Sequence, residues 1–129
     1  MKILGLHYSP DNNIHDVAAS LIIDGKVCGN YEEERFNRIK HACGKFPSLA
    51  IKKLIEHNKL SINDIDIIAC NPIYKSLVIS NLKNIFSNCK SNFEFIYDDH
   101  HNNHIYNAYC QSHFCGSTAA VIVVDGDGD

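Results

Sequence analysis

No two of the six cysteines, Cys28, Cys43, Cys70, Cys89, Cys110 and Cys115, stand in a C-x-x-C pair. That spacing removes a zinc ribbon and a thioredoxin-type redox site from consideration. No apolar run approaches the roughly 20 residues that cross a bilayer, so no membrane partner is expected. The opening MKILGLHYSP carries neither the apolar core nor the small-residue cleavage site of a secretory leader, which points to a cytoplasmic location. In that compartment the cysteines read as small, mostly buried apolar residues. A basic excess is also missing: 12 Lys and Arg against 15 Asp and Glu leave a net charge of -3. With the lysines scattered, no footprint for a phosphate backbone is present, and no nucleic-acid partner is expected. Low-complexity stretches and linkers are absent as well.

What is present is the composition of a folding domain: 129 residues, 45% hydrophobic and 21% charged. KILGLHY (Lys2 to Tyr8), VAASLIID (Val17 to Asp24) and KVCGNYEE (Lys26 to Glu33) are short β-rich runs, the last two joined through Asp24-Gly25, a strong hairpin signal. FPSLAIKKLIEHNKL then places Leu49, Ile51, Leu54, Ile55 and Leu60 at helical spacing behind Pro47. DIDIIACN (Asp64 to Asn71) reads as a buried strand ended by Pro72, Tyr74 to Cys89 as a helix, and NFEFIYD (Asn92 to Asp98) as another strand. IYNAYCQSHF continues a helical face through Ile105, Ala108, Tyr109 and Ser112. STAAVIVVDGDGD (Ser117 to Asp129) reads as a buried strand running into an Asp-Gly loop.

This order is that of one ribonuclease-H-like half-domain of the actin, sugar-kinase and Hsp70 superfamily: an α/β fold whose mixed sheet has three antiparallel strands followed by parallel ones, with helices on its faces. Residues 1–116 are expected to form the first half. Residues 117–129 are expected to be the opening strand and phosphate-type loop of a second, since a hydrophobic strand there would lack sheet partners of its own half. The chain is accordingly expected to be part of a longer protein. SPDNNIHD (Ser9 to Asp16), rich in turn formers, lies between the first two strands, where this superfamily places a phosphate-facing loop.

Three patterns carry chemistry. DDHHNNH (Asp98 to His104) holds three of the eight histidines. His100 and His104, four apart at a helix start, project from one face and can share a metal, with Asp98 or Asp99 as outer-shell acceptors. Surface histidines at a helix start are the plain alternative. Asp125 at the end of the next strand is the candidate third ligand, and Gly126 and Gly128 beside it leave backbone that a phosphate can approach. The second pattern, GNYEEERFNRIKHACGKFP, ends a strand in three glutamates and continues with Arg35, Arg38, Lys40, His41 and Lys45. It is either a solvated loop or a basic wall for an anionic group. In the third, His15 sits beside Asp16, and a histidine next to a carboxylate is either an ordinary loop residue or a general base near pH 7.

IHDVAASLIIDGKVCGNYEEERFNRIKH, KFPSLAIKKLI, DIDIIACN, DDHHNNHIYNAY and AVIVVDGDGD, in that order, closely resemble the N-terminal region of the O-carbamoyltransferases, a family of nodulation-factor and antibiotic-tailoring enzymes. The resemblance implies an actin-like double domain, related to the tRNA threonylcarbamoyl transferases, followed by a YrdC-like domain. It implies that ATP and carbamoyl phosphate form a carbamoyl-adenylate and that the carbamoyl group passes to a hydroxyl of a small-molecule acceptor. A divalent metal, Fe(II) being typical, is implied on His100, His104 and Asp125. His15 matches the histidine that helps deprotonate the acceptor, and Lys40 lies in the basic segment facing the active site. Two departures stand out: HHNNHIYNAY where the family has small residues, and a loop SPDNNIHD longer than the usual turn. The alternatives are a tRNA threonylcarbamoyl transferase-like enzyme and a non-catalytic metal- or nucleotide-binding module. A ribonuclease-H-type nuclease is disfavoured because KILGLHYS carries no carboxylate.

Overall fold

The computed structural model describes residues 1–11 and 14–124. Two compact units divide it, Met1–Tyr97 and a second beginning at Asp98.

The first unit is built on five strands in the order β3-β2-β1-β4-β5. β1 (Lys2–His7), β2 (Ala18–Ile23) and β3 (Lys26–Glu32) form an antiparallel meander, and β4 (Ile67–Ala69) and β5 (Glu94–Ile96) join parallel to β1. The three antiparallel strands followed by parallel ones match the sequence expectation. At the β2–β3 turn Asp24 and Gly25 both take positive φ, 48° and 79°, as a two-residue turn of the right twist demands. Pairing steps from Leu21–Gly29 to Ile22–Val27, so Cys28 is the extra residue of a bulge and its thiol is exposed.

Helix α1 (Glu34–Asn37) follows β3, and α2 (Ser48–His57) packs on β2 and β3 through Ala50, Ile51, Leu54 and Ile55, all buried. α3 (Lys75–Ile85) adds Val78 and Leu82 to the same core, which also holds Leu4, Leu6, Ala19, Leu21 and Ile68. Each fully buried Leu or Ile here contributes about 1.5–3 kcal/mol. Pro47, at the N-cap of α2, has no side chain that can accept from the first peptide N–H groups of the helix. Instead Glu33, at the end of β3, is buried and accepts from the N–H of Leu49 and of Ala50 at 3.0 and 2.9 Å. At the other end Lys59 takes φ 53° and Leu60 N–H reaches back to the Ile55 carbonyl, closing the helix with a left-handed residue. Leu60, expected on the helical face, therefore packs from just beyond it.

Several expected elements are shorter. The buried strand over Asp64–Asn71 is paired only at Ile67–Ala69, because Ser61 and Asp64 cap a tight turn at Ile62–Asp64 through reciprocal side-chain bonds. The helix expected from Tyr74 to Cys89 spans Lys75–Ile85, and the strand over Asn92–Asp98 is reduced to Glu94–Ile96. The cysteine expectation is corrected too. Cys70 alone of the six is buried, its thiol pushed up to about 11 by desolvation, whereas Cys28, Cys110 and Cys115 are exposed.

In the second unit α4 runs His100–Gln111, capped by Asp99, whose carboxylate accepts from the Asn102 N–H at 2.8 Å. After it the Tyr109 hydroxyl donates to the Ser117 carbonyl at 2.7 Å and accepts from the Gly116 N–H at 2.9 Å, folding the chain back. Residues 118–124 form no strand, and Ile122 and Val124 are exposed. The buried strand expected from Ser117 is thus not seen as far as Val124: apolar residues alone do not make a strand where no ladder satisfies the backbone. No helix among the described residues is long and apolar enough to cross a membrane.

Candidate functional site

His15, Asp16 and His41 meet at the end of the β1–β2 loop. Tyr8 and Ser9 are buried where β1 runs out, and the Ser9 hydroxyl donates to Asp11 at 2.8 Å and pairs with the Tyr74 hydroxyl at 3.1 Å. The loop's start is thereby fixed to the body. Its end is fixed by the backbone: Val17 N–H donates to the His41 carbonyl and Glu33 N–H to the Val17 carbonyl, at 3.2 and 2.8 Å. The His7 ring contacts the His15 carbonyl through Nε2 at 3.1 Å.

On this frame the Asp16 carboxylate lies between two imidazoles. His15 Nδ1 approaches Asp16 Oδ2 at 2.6 Å, and His41 Nδ1 approaches Asp16 Oδ1 at 2.7 Å. The bonds from His41 and then His15 hold the Asp16 carboxyl below its ordinary value. A carboxylate can only accept, so each Nδ1 carries the proton and donates. His15 and Asp16 are exposed and His41 is half-buried, which leaves the group open to a ligand.

The three residues each offer a ligand atom within 4.8 Å of the others, a set of the kind that can hold a divalent ion. Each nitrogen meets its own oxygen at hydrogen-bond length, so the Asp16 carboxylate is engaged by two N–H donors.

The cluster is held with strain. Asp16, Arg38, His41 and Ala42 all take positive φ, 59°, 62°, 60° and 49°, without being glycine. Such conformations cost of order 1–3 kcal/mol each and persist only where surroundings impose them. Glu34 imposes one, its carboxylate accepting the His41 N–H at 2.7 Å.

The basic stretch divides. Arg35 pairs with Glu32 at 2.8 Å and lies 3.8 Å from Glu34, so its charge is answered within the segment. Lys40 is exposed and immediately precedes His41. In the second unit the helix begins where the motif required, with His100 and His104 one turn apart on α4. His104 lines an open cavity of about 300 Å³ with Asn107, Ala108 and residues 121–124. Asp125, Gly126 and Gly128 lie outside the described residues.

The structure thus brings His15 onto Asp16, as their adjacency suggested, and adds His41, which had been read only as part of a basic stretch. A contact between residues 25 apart leaves no local spacing to detect. Glu33 as the cap of α2 was likewise missed, since a run of three glutamates reads as solvent-facing.

No family model matches the chain. The chain is 30% identical to Nodulation protein NolNO of Sinorhizobium fredii (strain NBRC 101917 / NGR234), over an alignment of 143 positions that takes in 93% of this chain and 21% of that protein. The resemblance read from the motifs is borne out by this relative. Among solved structures, YeaZ from Pseudomonas aeruginosa superposes with a TM-score of 0.55 at 12% identity, covering 85% of this chain and 49% of that one. That likeness concerns the fold, and with it the ribonuclease-H-like, actin-type assignment stands.

Proposed function

We propose that this chain, a relative of the O-carbamoyltransferases, serves ATP-dependent transfer of a carbamoyl group from carbamoyl phosphate, by way of carbamoyl-adenylate, to a hydroxyl of a small-molecule acceptor. The similarity to NolNO over 93% of the chain supports the transferase class. The observation that carries the chemistry is the His15 imidazole, bonded through Nδ1 to Asp16 and exposed. In that tautomer Nε2 bears the lone pair, so the ring accepts the proton of an attacking hydroxyl. The new bond joins the acceptor oxygen to the carbamoyl carbon. The bond from that carbon to the adenylate oxygen breaks, and AMP leaves with the electron pair. Lys40, exposed at the start of the same turn, supplies a cation for the leaving phosphate.

His100 and His104, one turn apart, suit a divalent ion completed by Asp125, and the resemblance favours Fe(II). When bound, such an ion neutralises phosphate charge and polarises a carbonyl. Residues 1–116 then belong to the first actin-like half and 117–129 open the second, with a YrdC-like domain elsewhere in a cytoplasmic protein.

The test is to incubate the full-length protein with ATP, radiolabelled carbamoyl phosphate and a panel of hydroxyl compounds, following AMP, pyrophosphate and labelled product. Carbamoyl phosphate-dependent AMP release with label on an acceptor is the expected result. ATP turnover indifferent to carbamoyl phosphate would sink the reading, and metal binding without nucleotide binding would favour a non-catalytic module.

A further inference from the structure

Asp16 meets two imidazoles through two different oxygens, at 2.6 and 2.7 Å. The geometry points to Asp16 as a positioning residue that locks His15 and His41 together as Nδ1–H tautomers, so that His41 presents a second basic Nε2 beside that of His15. This deepens the transferase reading and rests on it for the reaction, though not for the lock itself.

Three independent features show that the arrangement is built. The ring centroids of His15 and His41 stand 5.6 Å apart at 61°, edge towards face, so the two rings are fixed relative to each other as well as to the carboxylate. Both Asp16 and His41 are held at positive φ, and the strain is imposed from outside the pair by Glu34 on the His41 N–H and by the Val17 N–H on the His41 carbonyl. His7 holds the His15 carbonyl from β1. The titratable groups around the pair are therefore Asp16 between the rings, His7 behind His15, Glu34 behind His41 and Lys40 next to it in sequence.

The carboxylate is needed because it accepts on both oxygens. An amide in its place has one accepting oxygen and one donating nitrogen. Asp16→Asn therefore leaves one ring bonded as before and faces the other with N–H groups, which forces that ring's Nδ1 to accept and moves its proton to Nε2. One of the two bases is then lost while shape and left-handed backbone are kept, since asparagine tolerates that conformation.

The experiment reads tautomers by ¹⁵N NMR on the ¹⁵N-histidine-labelled protein at pH 8, together with carbamoyl-transfer kinetics of the full-length protein. Both His15 and His41 should show unprotonated Nε2 in the wild type, and Asp16→Asn should convert one of them. Where His15 is the ring converted, the variant's kcat should fall about 10²-fold, in the range that general base catalysis supplies, with KM within about twofold; where His41 is converted, kcat should fall by less. His41→Asn, which frees one oxygen of Asp16, should leave His15 an Nδ1–H tautomer and lower kcat by less. An Nε2–H form of either ring in the wild type overturns the lock. Tautomer conversion without loss of kcat overturns its role in positioning. Saturable Co²⁺ binding that both variants abolish also overturns it, because the Nδ1 atoms would then hold an ion in place of protons. If the full-length protein transfers no carbamoyl group at all, the transferase reading fails while the NMR result still decides the lock.

Discussion

Two carboxylates in neighbouring segments meet opposite fates, and each has a measurable consequence. Asp16 is exposed and its ionised form is favoured by two imidazoles, so its carboxyl lies low. Glu33 is buried, and desolvation outweighs the two peptide N–H groups of α2 that it accepts, so its carboxyl lies above the ordinary value of 4.5. A raised carboxyl in the folded state means that the native chain holds its proton more tightly than the unfolded one. Its contribution to stability is then full below the unfolded value and declines as pH rises through the folded one. Urea melts at intervals between about pH 4 and 6 should show this decline in the wild type and a flatter profile in Glu33→Gln. Glu33→Ala, which leaves the Leu49 and Ala50 N–H groups without their acceptor, should lose about 1–3 kcal/mol. An unchanged melt in the alanine variant would show that water replaces the carboxylate. Neither residue's role was open to inspection in the sequence. His15 beside Asp16 could be read as a candidate base from adjacency, but the second imidazole and the capping glutamate depend on contacts across 25 and 16 residues.

At the level of elements, the sequence was most legible where side-chain period and turn chemistry agreed. Asp24-Gly25 gave the hairpin, and the spacing of Ile51, Leu54 and Ile55 gave α2. It was least legible at edges, where β4 and β5 pair over three residues each although the apolar runs are longer, because a ladder needs a neighbour at every position. The bulge at Cys28 was invisible for the same reason. It sits next to Gly29, and that glycine has a packing role: a Cβ there would meet Leu54 Cδ2 at 2.6 Å. Leu54 is fully buried, so α2 can lie this close to β3 only over a bare Cα. Gly29→Ala should therefore destabilise by about 1–3 kcal/mol through overpacking, and Leu54→Ala by about 2–5 kcal/mol through the cavity it leaves. The double variant should be less destabilised than the sum of the two, since the added methyl enters space that the leucine vacates. Simple additivity in denaturant melts would mean that the helix shifts away from the strand.

For the whole molecule, the order of elements was enough to identify a ribonuclease-H-like half, whereas the last run, apolar enough to read as a buried strand, is neither paired nor buried through Val124. Apolar composition is a local property, and a strand is a property of two segments. The same distinction governs activity. The chain spans 21% of NolNO and 49% of the YeaZ chain, and the transfer reaction proposed above calls on an adenylate-forming domain for which these 129 residues have no counterpart in the motifs read. On that proposal, His15 and the histidine pair of α4 can be in place here without a source of activated carbamoyl group. The 129-residue chain on its own should therefore show no AMP release from ATP and carbamoyl phosphate under conditions in which the full-length protein turns over. On the two-half reading proposed above, the chain supplied with carbamoyl-adenylate generated by a separate enzyme should still transfer nothing unless a second actin-like half is added. Labelled product from the chain alone would show that the first half carries a complete transferase centre, and would move the acceptor site wholly onto residues described here.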